Sequence, residues 1–154
     1  MVHDNNVSGE YAKYFVQELQ EPPGMMTPEF EKIYRSYAHR ILWMDGSVCP
    51  GAFQMSFVWQ KTVPERDPIF PEHEHTDDEI IGFIGSDPDD PYDLGGIVEF
   101  GVGGEMHRLT RSTLIFAPGG VPHGPMRVLK IERPIVHFAV LMDSEYDAGE
   151  VMYK

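Results

Sequence analysis

Three side chains in the segment 71–79 have types and spacing that suit metal binding. His73 and His75 are separated by one residue, and side chains at this spacing project from the same face of a β-strand. Glu79 follows a short polar turn, so its carboxylate would lie beside both imidazoles if the chain returned as a second strand. Two imidazoles and a carboxylate bind Fe²⁺, Mn²⁺, Ni²⁺ or Zn²⁺, and this ligand set does not single out one of these ions.

A fourth candidate ligand, His123, lies much further along the chain. It follows the segment 118–122, where two prolines and two glycines favour a tight, stiff turn. We expect His123 to bind the same ion as the first three ligands. Four protein ligands on an octahedral ion leave two positions for water, substrate or dioxygen. The alternative is an empty barrel in which the four side chains hydrogen-bond to one another.

Glycine and proline punctuate the chain from Gly46 onward and indicate that these side chains lie on a β-rich fold. The 154 residues include 15 Gly and 13 Pro. Between them the pattern predicts strands at 40–44, 53–61, a run ending at His75, 79–84, 97–102, 106–110, 113–117, 124–129 and 135–142. One flat sheet of so many strands would have long exposed edges, so we expect closure into a small barrel or sandwich. The predicted fold class is all-β.

The N-terminal part of the chain has a different pattern. Thr27 and Pro28 are typical of a helix start, and aromatic and aliphatic residues then recur at helical spacing, which predicts a helix at about 28–38. The segment 14–19 fits either a helix or a strand, and we favour a strand. The predicted division is an N-terminal extension at 1–39, which contains one helix and packs on the barrel, and a β-barrel domain with a C-terminal tail at 40–154.

Composition excludes several classes of protein and site. The formal net charge of −13 disfavours nucleic acids and anionic membranes as partners. A single cysteine, Cys49, excludes an internal disulfide and a thiolate zinc cluster. No apolar run approaches the roughly 20 residues that cross a bilayer, and the first residues lack the pattern of a signal peptide. We therefore expect a cytoplasmic protein.

The candidate ligands resemble the two motifs of the cupin superfamily, over roughly residues 40–142. The residues that match are His73, His75, Glu79 and Gly85 in the first motif and Pro118, Gly120 and His123 in the second. This resemblance implies a single β-barrel of the double-stranded β-helix or jelly-roll type, in which His73, His75, Glu79 and His123 bind one divalent metal. Ser112 and Arg127 stand where the second motif often has glycine and asparagine.

The cupin resemblance implies a site more specifically than a reaction, because proteins of this shape include dioxygenases, decarboxylases, isomerases, lyases and binding proteins. The leading hypothesis is a metal-dependent, dioxygenase-like oxidoreductase that acts on a small organic molecule and uses Fe²⁺ or Mn²⁺, with Zn²⁺ or Ni²⁺ as other possibilities. One alternative is a cupin that binds or senses a small ligand without turnover. Another is a cupin-type isomerase, lyase or decarboxylase.

Strand parity extends the predicted pocket. If His123 faces inward, Arg127 lies at an even offset and would also face inward, where it could bind a substrate carboxylate; the alternative is a salt bridge at the rim. By the same argument Ile81 and Phe83 form an apolar wall beside Glu79. His137, in an apolar final strand, is either a buried neutral histidine bonded to the backbone or a general acid–base.

Two further features leave alternatives open. In the strand 53–61, Gln54, Ser56 and Gln60 share one face and Met55, Phe57 and Trp59 share the other, and the pattern does not say which face is inside. The segment 86–96 is predicted to be an added loop that covers the barrel mouth or packs on a partner chain. Acids dominate residues 65–105 and bases dominate residues 106–142, so we expect a homodimer.

Overall fold

Two antiparallel sheets account for the strands of the computed structural model, which describes residues 6–143. The strands are β1 (Ala38–Met44), β2 (Gln54–Gln60), β3 (Glu79–Ile84), β4 (Asp93–Val102), β5 (Glu105–Arg111), β6 (Thr113–Ala117), β7 (His123–Ile131) and β8 (Ile135–Leu141). One sheet has the order β1-β2-β8-β3-β6 and the other has the order β5-β4-β7. The predicted all-β class is confirmed.

The core lies between the two sheets. Fully buried side chains come from both of them, including Phe83 and Ile135 on the five-stranded sheet and Leu94 and Val98 on the three-stranded sheet. Burial of such side chains contributes about 1.5–3 kcal/mol each relative to exposure. The two sheets are therefore held face to face by apolar packing, and the candidate site lies in the space between them.

The predicted helix is confirmed as α1 (Pro28–Tyr37). Thr27 caps it, because its hydroxyl accepts a 3.2 Å hydrogen bond from the Phe30 amide. The buried face of α1 carries Phe30, Tyr34 and Tyr37, which join the main core. Within residues 6–143, α1 and the other helical segments fall short of the length and apolar character that a membrane crossing requires.

The predicted strand at 14–19 is wrong. The structure has a short 3₁₀ helix at Glu10–Tyr14, followed by chain without regular structure. A strand needs a backbone partner, and β1 pairs with β2 alone among the described strands. Tyr14 and Phe15 are exposed, so the apolar run that suggested a strand does not lie in the core. The predicted division into residues 1–39 and 40–154 stays a prediction. In the structure β1 begins at Ala38, two residues before the predicted boundary.

The bounds of the predicted strands agree best in the middle of the chain, where β3 and β6 match residue for residue. The predicted run into His75 is reduced to isolated bridges from Phe70 and His73 to β7, because Pro71 lacks the amide that a continuous ladder needs. Gly95 and Gly96, at the end of the predicted loop 86–96, lie inside β4. A side chain at Gly96 would place Cβ 2.3 Å from the Lys130 carbonyl oxygen, so glycine here permits close approach of β7.

Candidate metal centre

The backbone brings His73 and His123 together directly. The His73 amide donates to the His123 carbonyl at 2.9 Å, and the His123 amide donates to the His73 carbonyl at 2.8 Å. This pair of hydrogen bonds fixes the register between the irregular segment before β3 and the first residue of β7. Two candidate ligands from distant parts of the sequence therefore lie side by side.

A second set of contacts positions His75 and Glu79. The Gly120 amide donates to the His75 carbonyl at 2.7 Å, and the Gly119 amide donates to the Asp78 carboxylate at 2.9 Å. A Cβ on Gly119 would lie 2.2 Å from the Thr76 carbonyl oxygen, so a larger residue would push the two turns apart. The turn before β3 and the turn before β7 thus support each other, and Glu79 enters β3 with its side chain buried.

The four predicted ligands converge. One ligand atom from each of His73, His75, Glu79 and His123 lies within 4.8 Å of the others. His123 Nε2 lies 2.7 Å from Glu79 Oε2, and His75 Nε2 lies 3.7 Å from the same oxygen. Ligands about 2.1 Å from one ion lie about 3.0 Å apart when adjacent and about 4.2 Å apart when opposite. Separations of 2.7 Å, 3.7 Å and at most 4.8 Å are therefore of the size that ligands of one shared ion require.

Hydrogen bonds to backbone carbonyls determine which imidazole nitrogens face the cluster. His73 Nδ1 donates to the Pro71 carbonyl and His123 Nδ1 donates to the Val121 carbonyl, each at 3.0 Å. A carbonyl only accepts hydrogen bonds, so in the neutral rings Nδ1 carries the proton and Nε2 carries the lone pair. His123 Nε2 then faces a Glu79 oxygen, and two acceptors this close require a cation or a proton between them. The residues fit a divalent transition metal.

Burial and neighbouring groups act on the imidazoles in opposite directions. Burial lowers the pKa of His73 and outweighs the Pro71 carbonyl, which raises it. Burial also lowers the pKa of His123, but the hydrogen bonds to Glu79 and to the Val121 carbonyl outweigh it, so the pKa lies above its ordinary value. Glu79 therefore favours a positive charge at the His123 position, and a proton competes there with a metal ion.

A cavity adjoins the cluster between the sheets. The cavity has a volume of about 50 Å³, which is room for a few waters or a ligand of a few heavy atoms. Apolar side chains form much of its wall, and His73, Glu79 and His123 contribute to one part of it. The members of the apolar wall are Val58, Phe70, Ile81, Phe100, Met126 and Ala139. A small ligand in this cavity would lie against the cluster.

The polar face of β2 points into the cavity. Gln54, Ser56 and Gln60 line it, whereas Met55 is exposed on the opposite face. Gln54 and Gln60 are each only 1% exposed, and their Oε1 atoms have no hydrogen-bond partner among the described residues. Unsatisfied buried amides are costly in a folded protein, which makes them candidates for ligand contacts. The alternating pattern identified this polar set but not its orientation.

Arg40 is a cavity residue that the sequence pattern did not indicate. Its side chain is buried, it donates a 2.7 Å hydrogen bond to Glu21, and its guanidinium lies over the rings of Tyr34 and Trp43. Nothing in the local spacing distinguishes it from a surface arginine. Glu21 balances the charge of Arg40, and two aromatic rings enclose its guanidinium. Arg40 therefore forms a buried part of the cavity wall, beside Tyr34 of α1.

The predicted inward orientation of Arg127 is wrong. Its guanidinium makes a bidentate pair with Asp67, at 2.8 and 2.7 Å, and lies 3.5 Å from Glu99, with 41% of the side chain exposed. Parity fails because β7 has one more residue than β4 between two paired positions: Phe100 pairs with Met126, but Val102 pairs with His123. Such a bulge reverses the faces of the residues that follow it. Arg127 forms the rim salt bridge that was the alternative.

The other inward predictions agree with the structure. Ile81 lines the cavity and Phe83 is fully buried. His137 is a buried histidine whose Nδ1 donates to the Gly82 carbonyl at 3.1 Å, and its ring stacks on Phe83 with centroids 4.7 Å apart. Burial lowers the pKa of His137 to about 4. The ring is therefore neutral near pH 7. This agrees with the first of the two predictions for His137, a buried neutral histidine bonded to the backbone.

The segment 86–96 lies away from the cluster. It leaves the end of β3 opposite to Glu79, roughly 17 Å along the strand, and the cavity-lining residues do not include it. Ser112 anchors it, because its hydroxyl donates to the Pro91 carbonyl at 2.7 Å and accepts from the Gly85 amide at 3.0 Å. The segment is thus no lid over the candidate ligands. His3, which carries no predicted role, lies outside the described residues.

Comparison with known proteins gives matches in structure. No protein-family model matches the chain, and no curated protein matches it in sequence. A recombinant oxalate oxidase in complex with glycolate is 14% identical, with a TM-score of 0.51 over 91% of this chain and 63% of that chain. A second oxalate oxidase, in complex with the substrate analogue glycolate, is also 14% identical, with a TM-score of 0.50 over 86% and 61%.

A third match is a RmlC-like cupin from Shewanella frigidimarina, which is 18% identical, with a TM-score of 0.39 over 60% of this chain and 68% of that chain. The chain spans less than two-thirds of the length of either oxalate oxidase chain. The likeness to the two oxalate oxidases, at 14% identity, establishes the arrangement of the strands and nothing about the reaction. With its two antiparallel sheets and the structural match to the oxalate oxidases, the chain has the cupin fold.

Proposed function

We propose that this protein is a metal-dependent enzyme of the dioxygenase-like oxidoreductase type, acting on a small organic molecule. His73, His75, Glu79 and His123 would hold one divalent ion, with Fe²⁺ or Mn²⁺ favoured over Zn²⁺ or Ni²⁺. The observation that carries the proposal is the convergence of these four ligand atoms within 4.8 Å at the wall of a buried cavity. Neutral imidazoles and a carboxylate are a suitable ligand set for these ions.

The location of the cluster makes a bound ion accessible to a small ligand. Three of the four candidate ligands line the cavity, and four protein ligands leave two positions of an octahedral ion for other groups. A bound Fe²⁺ or Mn²⁺ would supply Lewis acidity, and Fe²⁺ would also supply redox chemistry. The apolar wall, which includes Ile81 and Ala139, excludes bulk water and strengthens electrostatic interactions inside the cavity.

The buried side chain of Gln54 favours a substrate that carries a polar group. Gln54 and Glu79 both pair with Leu141, from opposite sides of β8, so they lie at the same level two strands apart, about 10 Å between backbones. The buried Gln54 Oε1 is an acceptor without a partner among residues 6–143. A substrate hydroxyl or N–H held near the ion could donate to it. The proposed substrate is therefore small and carries at least one hydrogen-bond donor.

His137 is assigned to the cavity wall in this proposal. It pairs with Phe83, four residues along β3 from Glu79, which is about 13 Å of strand. In this proposal a ligand bound at the ion lies nearer Glu79 than His137, although both residues line the same cavity. Its buried neutral ring contributes packing against Phe83 and a hydrogen bond to Gly82, and the proton transfers of a reaction at the ion would involve groups nearer Glu79.

Ligand binding without turnover is the alternative function. The observation that favours it is the pair of buried amides, Gln54 and Gln60, which can recognise a polar ligand but have no acid–base or nucleophilic chemistry of their own. In that case the ion would act as a clamp for the ligand.

Metal binding is the first test. The full chain, stripped with chelator, is titrated with Mn²⁺ by calorimetry and with Fe²⁺ under anaerobic conditions. We expect one ion per wild-type chain and affinity at least about 100-fold weaker in His123→Ala, because a direct ligand is lost. The matched control is His107→Ala, an exposed histidine on β5 that should leave affinity unchanged. Wild-type protein that binds no ion would refute the proposal.

Turnover is the second test. Oxygen uptake is measured for the Fe²⁺-loaded and Mn²⁺-loaded chain with a panel of small hydroxy acids, diols and phenols, beside His75→Ala treated in the same way. Substrate-dependent uptake in the wild type and its loss in the variant support the enzyme. Saturable binding of a panel member with no uptake and no altered product supports the binding alternative.

A further inference from the structure

Buried polar side chains lie at both ends of the cavity. Gln54 on β2 is level with Glu79, whereas Gln60 lies six residues further along the same strand, about 20 Å between backbones. Gln60 is 1% exposed, lines the cavity and has an amide oxygen with no hydrogen-bond partner within residues 6–143. Such a buried acceptor is costly, and a ligand that donates a hydrogen bond would satisfy it. The end of the cavity at Gln60 is therefore a binding position remote from the metal cluster.

Arg40 places a positive charge beside Gln60. Ala38 pairs with Gln60 and Arg40 pairs with Val58, so the side chains of Arg40 and Gln60 are diagonal neighbours on β1 and β2, roughly 7 Å apart at Cβ. Both line the cavity, and Arg40 is 5% exposed. A buried arginine requires an anion as its partner. An acceptor next to a guanidinium suits a ligand that combines a hydrogen-bond donor with a negative charge.

The anion that Arg40 holds within the chain, Glu21, approaches it from outside the main cavity. The two side chains pair at 2.7 Å. Glu21 lines a second, smaller cleft, and Tyr34 and Arg40 line both this cleft and the cavity, so these two residues separate the two spaces. Arg35, which also lines the cleft, is exposed, so the cleft opens to solvent. The Arg40 guanidinium can therefore be reached both from the cavity and from the surface.

A ligand carboxylate can take the place of Glu21. Residues 15–27, which include Glu21, contain no helix or strand, and 22% of the Glu21 side chain is exposed. Its carboxylate can therefore turn to water without breaking a backbone ladder. A ligand carboxylate has the same charge and geometry, so it keeps Arg40 balanced. Exchange of one carboxylate for the other avoids the cost of a buried unpaired charge.

Charge and size restrict the rest of the ligand. Burial, the largest effect, lowers the pKa of His137 to about 4, and Glu79 opposes this shift while Arg40 adds to it. An ammonium group beside Arg40 would meet the same repulsion, so the donor that Gln60 accepts from is a hydroxyl. The cavity holds only a few heavy atoms, and Gln60 and Arg40 are neighbours. The hydroxyl and the carboxylate must therefore lie on adjacent carbons.

We propose that Arg40 and Gln60 form a binding subsite for a small 2-hydroxy carboxylate. The Gln60 amide oxygen accepts a hydrogen bond from the ligand hydroxyl, and Arg40 pairs with the ligand carboxylate in place of Glu21. The subsite needs no bound ion, so this inference goes beyond the proposed metal chemistry and does not depend on it.

The experiment titrates the full metal-free chain with lactate at pH 7 by calorimetry. Two analogues of similar size are the ligand controls: propionate lacks the hydroxyl, and lactamide lacks the charge. We expect one lactate per chain, with propionate and lactamide each bound at least about tenfold more weakly, because each leaves a buried polar group of the subsite unpaired. This comparison needs only the wild-type chain.

Three variants locate the bound lactate. Glu21→Gln removes the competing carboxylate and should strengthen lactate binding at least about fivefold. Its matched control is Glu31→Gln, which removes a carboxylate that lines the same cleft but pairs with Arg35, and which should leave lactate binding unchanged. Gln60→Leu should weaken lactate binding at least about tenfold and should not weaken propionate binding, since propionate has no hydroxyl to donate.

Circular dichroism shows whether each variant is folded, and if Gln60→Leu does not fold, the ligand series and Glu21→Gln decide. A wild-type chain that does not bind lactate at millimolar concentration overturns the proposal. Equal binding of lactate and either analogue also overturns it, as does a folded Glu21→Gln chain whose affinity for lactate is unchanged or weaker.

Discussion

Replacing His137 should change how stability depends on pH. The buried ring has a pKa of about 4 in the folded chain, against about 6.5 for an unfolded chain. Between these values the unfolded state binds a proton and the folded state does not, so the free energy of unfolding falls as pH falls from about 6.5 to about 4. A difference of about 2.5 in pKa corresponds to about 3 kcal/mol over this window.

His137→Asn keeps a side-chain N–H near the Gly82 carbonyl but removes the titration. Urea unfolding of the metal-free chain, followed from pH 7 to pH 4, should show that the wild type loses about 3 kcal/mol relative to this variant. Other groups that titrate in both proteins cancel in the difference. His107→Asn, at an exposed histidine, should instead follow the wild type at every pH. A constant gap between wild type and His137→Asn across this range would refute the reasoning.

Three further substitutions test other parts of the structure. Thr27→Ala removes the cap of α1 and should lower the free energy of unfolding by about 1 kcal/mol in urea titrations. Gly119→Ala brings a methyl group against the Thr76 carbonyl and should weaken Mn²⁺ affinity at least about tenfold by calorimetry, because the two turns that present the ligands must separate; unchanged affinity would contradict the proposed coupling of the turns. Arg127→Ala breaks an exposed ion pair with Asp67 and should leave the urea unfolding midpoint and the Mn²⁺ affinity close to the wild-type values.

The features that could be predicted from sequence depend on short-range spacing. The bounds of β3 and β6, the start of α1 at Thr27, and the convergence of His73, His75, Glu79 and His123 all follow from residues within a few positions of one another or from two compact motifs. Local patterns determine strand and helix type wherever apolar residues recur at one period. That period is also what placed Ile81 and Phe83 on the inner face.

Arg127 shows why other features could not be predicted. Parity counting assumes an unbroken ladder, but β7 gains one residue against β4 next to Gly124, which has a φ of +85°. A bulge depends on the partner strand, and the partner is not visible in the local sequence. The same limit applies to Gly96, which was placed in the predicted loop 86–96 but lies in β4 in close contact with β7.

The orientation of β2 was undetermined for a different reason. Alternation identifies two faces, one with Gln54 and Gln60 and the other with Phe57 and Trp59, but it does not state which one is inside. In most sheets the apolar face would be the inner one. Here the polar face lines the cavity, and the apolar face, on which Met55 is exposed, forms the outer side of the five-stranded sheet.

The paired backbone hydrogen bonds between His73 and His123 have a kinetic consequence for any bound ion. Local opening that separates the start of β7 from the segment around His73 breaks both hydrogen bonds together. It moves His123 away from the other three candidate ligands in one event. Ion release is then limited by how often the chain opens at this point, so added chelator should reach a ceiling rate that no longer rises with chelator concentration. The residence time of the ion thus reports local unfolding of one two-residue bridge.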